Sequence, residues 1–238
     1  NKLYNTNISI DNFTKTPGHD VRNKLFLTYV FLDTVERARL LIETNSIDYV
    51  IDTVKLTEDN IDTSAETSLY TNITNANNHI KEIIWFIRRN DVIDNFNDYT
   101  NYTASAQYME NMGILKSAKI YWSRDTERAN FPANYYNHIQ PYYHHTNIPR
   151  TGIYCYSFAL FPEKNNTSGS YNNSKITTSL SITTNPYFND PVFNSIQNIT
   201  KSILGSNYNY NVKYNVSYFV RDINVLSVIN GSAQLKFV

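Results

Sequence analysis

Apolar and polar positions alternate with a period of two over several short runs, and stretches rich in Asn, Asp, Gly and Pro separate those runs. Residues 24–32, KLFLTYVFL, form the first run and predict a strand. Asp33 or Thr34 then caps a short helix over TVERARLL, with Glu36 in its first turn and Arg37 and Arg39 later, the order that the helix dipole favours. Further strands are expected at 47–56, 67–74, 80–87, 115–122, 153–160, 175–182 and 210–220, and the apolar residues of 223–238 add a last one. The run IKEIIWFI at 80–87 is almost continuously apolar, which suits a strand in the middle of a sheet. Residues 88–113 read as an elaborated surface loop. Residues 123–151 form a second long connection, punctuated by Pro132, Pro141 and Pro149, with a short helix near 127–139; 184–208 are another excursion. The polar opening, with a turn at Pro17-Gly18, reads as a lead-in strand or linker. About eight strands with turns and long loops predict an all-β, antiparallel sandwich or barrel, and eight strands in two Greek keys make a jelly roll. The chain shows no short repeat, which disfavours a propeller or a β-helix.

Composition narrows the picture. The 238 residues are enough for one large β domain or two small ones. Twenty Tyr and 12 Phe against 6 Gly favour pleated, half-buried surfaces. Lys plus Arg number 21 and Asp plus Glu 21, so the basic surplus of a protein that grips nucleic acid is missing. The single Cys155 excludes an intrachain disulfide and sits in an alternating apolar run, where a buried, inert thiol is expected, in keeping with a reducing compartment such as the cytosol. No apolar run approaches the length that spans a bilayer, and no secretory leader pattern opens the chain. Because the sequence begins at Asn1, a fragment, a processed product or part of a longer chain is expected.

Candidate chemistry is sparse. His144-His145, with His138 upstream, lack the Cys pairs or HExxH spacing of a zinc site, and adjacent side chains point apart. The expected role of these histidines and the turn at residues 147–149 is to lock a loop against the sandwich. No GxSxG occurs and Cys155 lies in a strand, so neither an enzyme nor a cofactor is expected. Trp85, Trp122 and the tyrosines of 135–143 admit two readings: a sugar-binding platform, or core packing or subunit contact for the tryptophans and subunit contact for Tyr135, Tyr136 and Tyr143. Asn-x-Ser/Thr triplets at Asn7, Asn12, Asn72, Asn101, Asn166, Asn198 and Asn230 are what an Asn-rich chain produces by chance.

Residues 134–176 read NYYNHIQPYYHHTNIPRTGIYCYSFALFPEKNNTSGSYNNSKI. Gln140, Pro141 and Tyr142, then His144 and His145, Asn147 to Pro149, Gly152 with Tyr156, Ser157 and Phe158, then Pro162-Glu163 and Ser168-Gly169, stand in one order at close spacing. Together they resemble the signature stretch of the major capsid protein of nucleocytoplasmic large DNA viruses, the giant-virus double jelly-roll family. LTYVFLDTVERARL, HIKEIIWFI and YNVSYFVRDINVLSVINGSAQLKF are similar to further family segments, in family order. SYNNSKI after Gly169 and the interruption at Arg221-Asp222 depart from the family pattern. The resemblance implies that residues 24–238 are the C-terminal jelly roll of two, with 1–23 leading in from a missing N-terminal one. It implies a structural subunit of an icosahedral capsid, in homotrimeric, pseudo-hexagonal capsomers assembled in the host cytoplasm. Its partners would be its own copies, neighbouring capsomers and minor capsid proteins, with no direct nucleic-acid contact. The alternative from another class is a carbohydrate-binding jelly-roll module for host attachment.

Overall fold

The structure is a computed structural model that describes residues 26, 28, 30–42, 46–62, 68–74, 76, 78–123, 125–165, 168–186, 198, 202, 213–229 and 232–237. The expected lead-in at 1–23 and nearly all of the excursion at 184–208 lie outside these residues. Contacts divide the chain into residues 1–44 and 45–238. In the first unit, helix α1 (Thr34–Ile42) starts where the capping pattern placed it: Thr34 N–H donates to Asp33 Oδ1 at 2.6 Å, and Arg37 N–H to Asp33 O at 2.8 Å. The strand expected at 24–32 is absent from the described residues there, and Phe26 and Phe31 are exposed. A strand exists only through its ladder, and an apolar run without a paired neighbour does not make one.

The second unit holds β1 (Ile47–Asp62), β2 (Ser68–Asn72), β3 (His79–Arg89), α2 (Asn90–Phe96), β4 (Leu115–Trp122), β5 (Thr126–Pro132), a π-helical turn (Tyr135–Ile139), α3 (Gln140–His144), β6 (Ile153–Ser157), β7 (Tyr171–Asn172), β8 (Thr178–Thr184), β9 (Lys213–Ile229) and β10 (Ser232–Leu235). One sheet runs β1-β9-β3-β6, with β10 added to β9 and β7 to β3; the other runs β2-β8-β4-β5. Every pairing between these strands is antiparallel. Successive strands mostly change sheet, which is how a jelly roll wraps its chain. The described strands number ten, not eight.

Three expectations need correction. The connection at 88–113 contains helix α2, closed by Asn97 at φ 52°, whose N–H returns to Ile93 O at 2.9 Å. The helix expected near 127–139 is present only in the second half of that range, where the π-helical turn runs on into α3; the first half is strand β5. Only Ala129 of that edge strand is buried, so its sequence shows no alternation, and pairing with β4 decides its conformation. The strands expected at 210–220 and within 223–238 are joined, because β9 runs unbroken through Arg221-Asp222 and 16 of its 17 residues pair with β1.

The core lies between the sheets. Trp85, fully buried, meets Tyr136 edge-on at 5.1 Å and stacks on Tyr154 at 6.0 Å. Tyr214, Val216, Tyr218 and Val220 of β9 point inward at every second position and face Ala118, Ile120, Leu180 and Ile182 of the other sheet. In β3, Ile80 and Ile83 both enter this core although they are three residues apart. A bulge between Ile80 and Glu82 shifts the register and turns Lys81 and Glu82 toward the outside of the sheet, the side Ile84 and Phe86 also face.

Candidate functional site

Residues 144–146 and 158–164, on either side of β6, lie against that outside face, and hydrogen bonds hold their segment to the sheet. Phe158 N–H and Ala159 N–H both donate to Lys81 O, at 2.8 and 3.1 Å. Asn137, buried, donates to Arg150 O and Ile153 O at 3.0 and 2.7 Å and so ties the turn to the start of β6. Gln140, also buried, accepts from Ser157 N–H at 3.0 Å and donates to the Tyr135 hydroxyl at 2.9 Å. His144 Nδ1 lies 3.0 Å from Leu160 O. Ser168 accepts from Leu160 N–H through its carbonyl and from Phe161 N–H through its hydroxyl, at 3.3 and 2.7 Å. Gly169, at φ +136°, leaves room for Phe158 O.

Beneath this segment lies a cluster of charge in which Lys81 and Glu82 are buried while Asp52, Arg221 and Glu163 reach solvent. Glu82 has no exposed surface; Arg221 reaches its Oε1 at 2.8 Å and His145 Nε2 its Oε2 at 3.0 Å. The other ring nitrogen of His145 lies 3.1 Å from Glu163 Oε1, and Thr146 N–H donates to Glu163 Oε2 at 3.2 Å. Two of the cations also grip the covering loop by its backbone: Arg221 donates to Pro162 O at 3.1 Å and Lys81 to Lys164 O at 2.9 Å. Lys81, fully buried, is neutralised by both oxygens of Asp52 at 3.1 and 2.9 Å. Lys81, Arg221 and His145 thus balance Asp52, Glu82 and Glu163, which is the condition for burying charge at tolerable cost.

The cluster sets the titration of His145 and Glu163. Contact with the Cys155 thiol and with the Glu82 carboxylate pushes the His145 imidazole up to about 10, against a desolvation that opposes charge. Burial pushes the Cys155 thiol up as well, while its contact with His145 acts the other way. At Glu163 desolvation acts upward, but hydrogen bonds from His145 and Thr146 outweigh it and hold the carboxyl below its usual value. Because the folded His145 value lies above the unfolded 6.5, its contribution is complete below pH 6.5 and is lost as pH rises toward 10. His145→Gln is therefore expected to cost about 1–3 kcal/mol at pH 6, by the weight of hydrogen bonds to charged groups. The gap to the unaltered protein should shrink through pH 8 and close above pH 10 in urea titrations; a gap constant with pH means that the ring is neutral when folded.

A profile of the family described as large eukaryotic DNA virus major capsid protein matches residues 36–234. The chain belongs to this family. It is 29% identical over 176 residues to the major capsid protein of Paramecium bursaria Chlorella virus 1, covering 64% of this chain and 39% of that protein. It is 29% identical over 175 residues to the major capsid protein of Pyramimonas orientalis virus, with the same shares of 64% and 39%. Among solved structures, a chain of the PBCV-1 virus capsid superposes with a TM-score of 0.65 at 24% identity, over 88% of this chain and 55% of that one. That likeness shows the jelly-roll fold. The chain spans about two-fifths of the length of these curated relatives.

Within this capsid-family chain, the signature residues divide by role. Pro141 and Pro162 are buried, Gly152 closes a turn, Tyr156 lies in the core and Phe158 packs against it, and Asn147 is exposed with Pro149 partly covered. Of the tyrosines expected at a subunit contact, Tyr136 is excluded: it is fully buried, its hydroxyl donates to Ala118 O at 2.9 Å, and burial pushes its phenol up. Tyr135 is half-buried and stacked on Phe131 at 4.0 Å. Tyr143 is 67% exposed and Tyr142 71%, their rings 5.4 Å apart. Ile148, Leu160 and Phe161 are exposed on the same segment.

The sugar-platform reading loses both tryptophans. Trp85 is in the core, and Trp122 is stacked on Tyr171 at 4.9 Å with the Arg128 guanidinium 4.9 Å over its ring. Asn101 is buried and donates to Ser105 O and Ala106 O, which removes it as a glycan acceptor. Among the described residues no group of His, Cys, Asp or Glu is arranged to hold a metal, and no helix is long and apolar enough to cross a membrane. The functional residues missing from the sequence reading are Asp52, Lys81, Glu82 and Arg221. Their signal was present: Glu82 and Arg221 are charges inside apolar strands, and they stand directly opposite each other in the ladder.

Proposed function

We propose that this chain is a structural subunit of the icosahedral shell of a large DNA virus, the second of two sandwiches in a longer capsid polypeptide that forms trimeric, pseudo-hexagonal capsomers. The observation that carries this reading is the exposed apolar surface of the signature segment, Tyr142, Tyr143, Ile148, Leu160 and Phe161, mounted on a base locked by buried charges. Exposed apolar surface costs solubility unless something covers it, and aromatic residues on a rigid support are what association surfaces use. Membership of the capsid family supports the same reading. Its place is then the virion shell, assembled in the host cytoplasm, with neighbouring capsomers and minor capsid proteins as further partners. Many weak, fixed contacts repeated around a shell add up to a stable particle.

The test is native mass by light scattering on a sizing column, beside the mass of the denatured chain. A trimer is the expected result. A monomer at every concentration reached overturns the reading and returns the binding-module alternative.

A further inference from the structure

A cleft of about 320 Å³ lies where the π-helical turn meets the starts of β4 and β6. Glu110, Asn137, His138 and Asn185 are among the polar side chains that line it. An Asn amide offers two N–H donors and one carbonyl oxygen. Asn137, buried, spends both donors on Arg150 O and Ile153 O, at 3.0 and 2.7 Å. Asn185 spends both of its own on Gly113 O and Leu115 O, at 2.8 and 3.2 Å. Turning either amide over would set its oxygen against two carbonyl oxygens, so the backbone fixes both orientations. The two Oδ1 atoms are left over as acceptors, and among the described residues nothing donates to them. Glu110 is exposed and makes no ion pair among the described residues. No Lys or Arg stands among the described lining residues, and Arg150 lays its own guanidinium over the Tyr108 ring at 4.1 Å.

We infer that this cleft is a binding site for the guanidinium group of an arginine side chain carried by a partner polypeptide. The cleft supplies acceptors and one negative charge, so its occupant must be rich in donors and positive. Anions find no cation there. A calcium ion takes six to eight oxygens and depends on the number of carboxylates among them, and Glu110 is the one carboxylate that lines the cleft among the described residues. A guanidinium has five N–H donors in a planar fork. Two of them can meet the Glu110 carboxylate side by side, and those on the other edge are free for the Oδ1 atoms of Asn137 and Asn185. An ammonium has three donors and no fork, so lysine fits the same acceptors less well. The two amides are also held before anything binds, which spares the cost of ordering them. The cleft is complete within one chain, so its occupancy can be read apart from the oligomeric state.

The test titrates the protein with the blocked peptide acetyl-Gly-Arg-Gly-amide and follows binding by calorimetry. Acetyl-Gly-Lys-Gly-amide, free arginine and calcium chloride serve as competitors. Saturable, one-to-one binding of the arginine peptide is expected, with the lysine peptide weaker and calcium unable to displace it. Free arginine should also be weaker, because its α-carboxylate meets Glu110. Glu110→Gln should weaken the arginine peptide at least about 10-fold, the weight of hydrogen bonds to a charged group. His138→Lys, which sets a cation in the same cleft, should abolish binding. Glu110 and His138 are both exposed, so each variant should keep the thermal midpoint of the unaltered protein. No saturable binding of the arginine peptide overturns the site, as does equal binding by the two variants. A lysine peptide or a calcium ion that binds as well overturns the guanidinium, and free arginine that binds as well overturns the polypeptide partner.

Discussion

Glu82→Ala is expected to destabilise the folded chain by about 3–5 kcal/mol, the cost of breaking a buried ion pair from one side. Glu82 is wholly buried and faces two cations, Arg221 at 2.8 Å and His145 at 3.0 Å. Without it both lose their shared anion in a place that water reaches poorly. Arg221 is 31% exposed on its side chain and can turn partly to solvent, whereas His145 is only 13% exposed, which sets the result at the lower end of that range. The loss should appear in urea titrations as a lower midpoint with an unchanged slope. Replacing Glu82, His145 and Arg221 together with apolar residues of similar volume should restore most of it, because desolvation then has nothing to act on. A Glu82→Ala cost below about 1 kcal/mol means that the cluster is hydrated and that backbone hydrogen bonds alone hold the segment. Because Arg221 and Lys81 also hold the backbone of residues 162–164, association through Tyr142 and Tyr143 should fail before the sandwich unfolds.

Gly152→Ala is the second large effect, about 2–4 kcal/mol by the usual cost of overpacking plus a forbidden backbone angle. Gly152 has φ +98°, and an added Cβ would stand 2.6 Å from the backbone oxygen of Tyr102 and closer still to its Cβ. Neither atom is the free end of a side chain, so relief requires moving the loop that carries Tyr102 and, with it, the ring that packs against Phe86. Gly113→Ala is the control: its nearest neighbours would be the Tyr154 hydroxyl at 3.6 Å and a Thr151 methyl at 3.7 Å, ordinary contact distances. Thermal unfolding of the two variants side by side separates the readings. Equal midpoints would show that the turn at Gly152 yields without strain.

These residues also mark how far the primary structure could be followed. Helix α1, strand β4 and the centre of β3 stand where the local pattern placed them, because a cap, a period of two and a continuous apolar run are signals a segment carries by itself. The order of motifs from Gln140 to Gly169 identified the family, since several short motifs in one order are unlikely to coincide. Strand β5 was illegible for the opposite reason. Its burial comes down to one residue, Ala129, and its ladder is written in β4.

The charged cluster was legible only as anomalies. Lys81-Glu82 inside an apolar strand and Arg221-Asp222 inside another are 139 positions apart at Glu82 and Arg221, and only the β3–β9 register sets them opposite each other. The bulge beside Ile80 then decides which face they occupy, and one residue of register moves a side chain from core to surface. Tyr136 and Tyr143 make the same point at short range: both belong to one tyrosine-rich run, yet the π-helical turn buries the first in the core and α3 leaves the second exposed. The sequence by itself determined the fold class, the family and the segment that matters, because these follow from local periodicity and motif order. Tertiary structure alone decided which charges meet and which tyrosines remain available, because each depends on pairing between strands far apart in the chain.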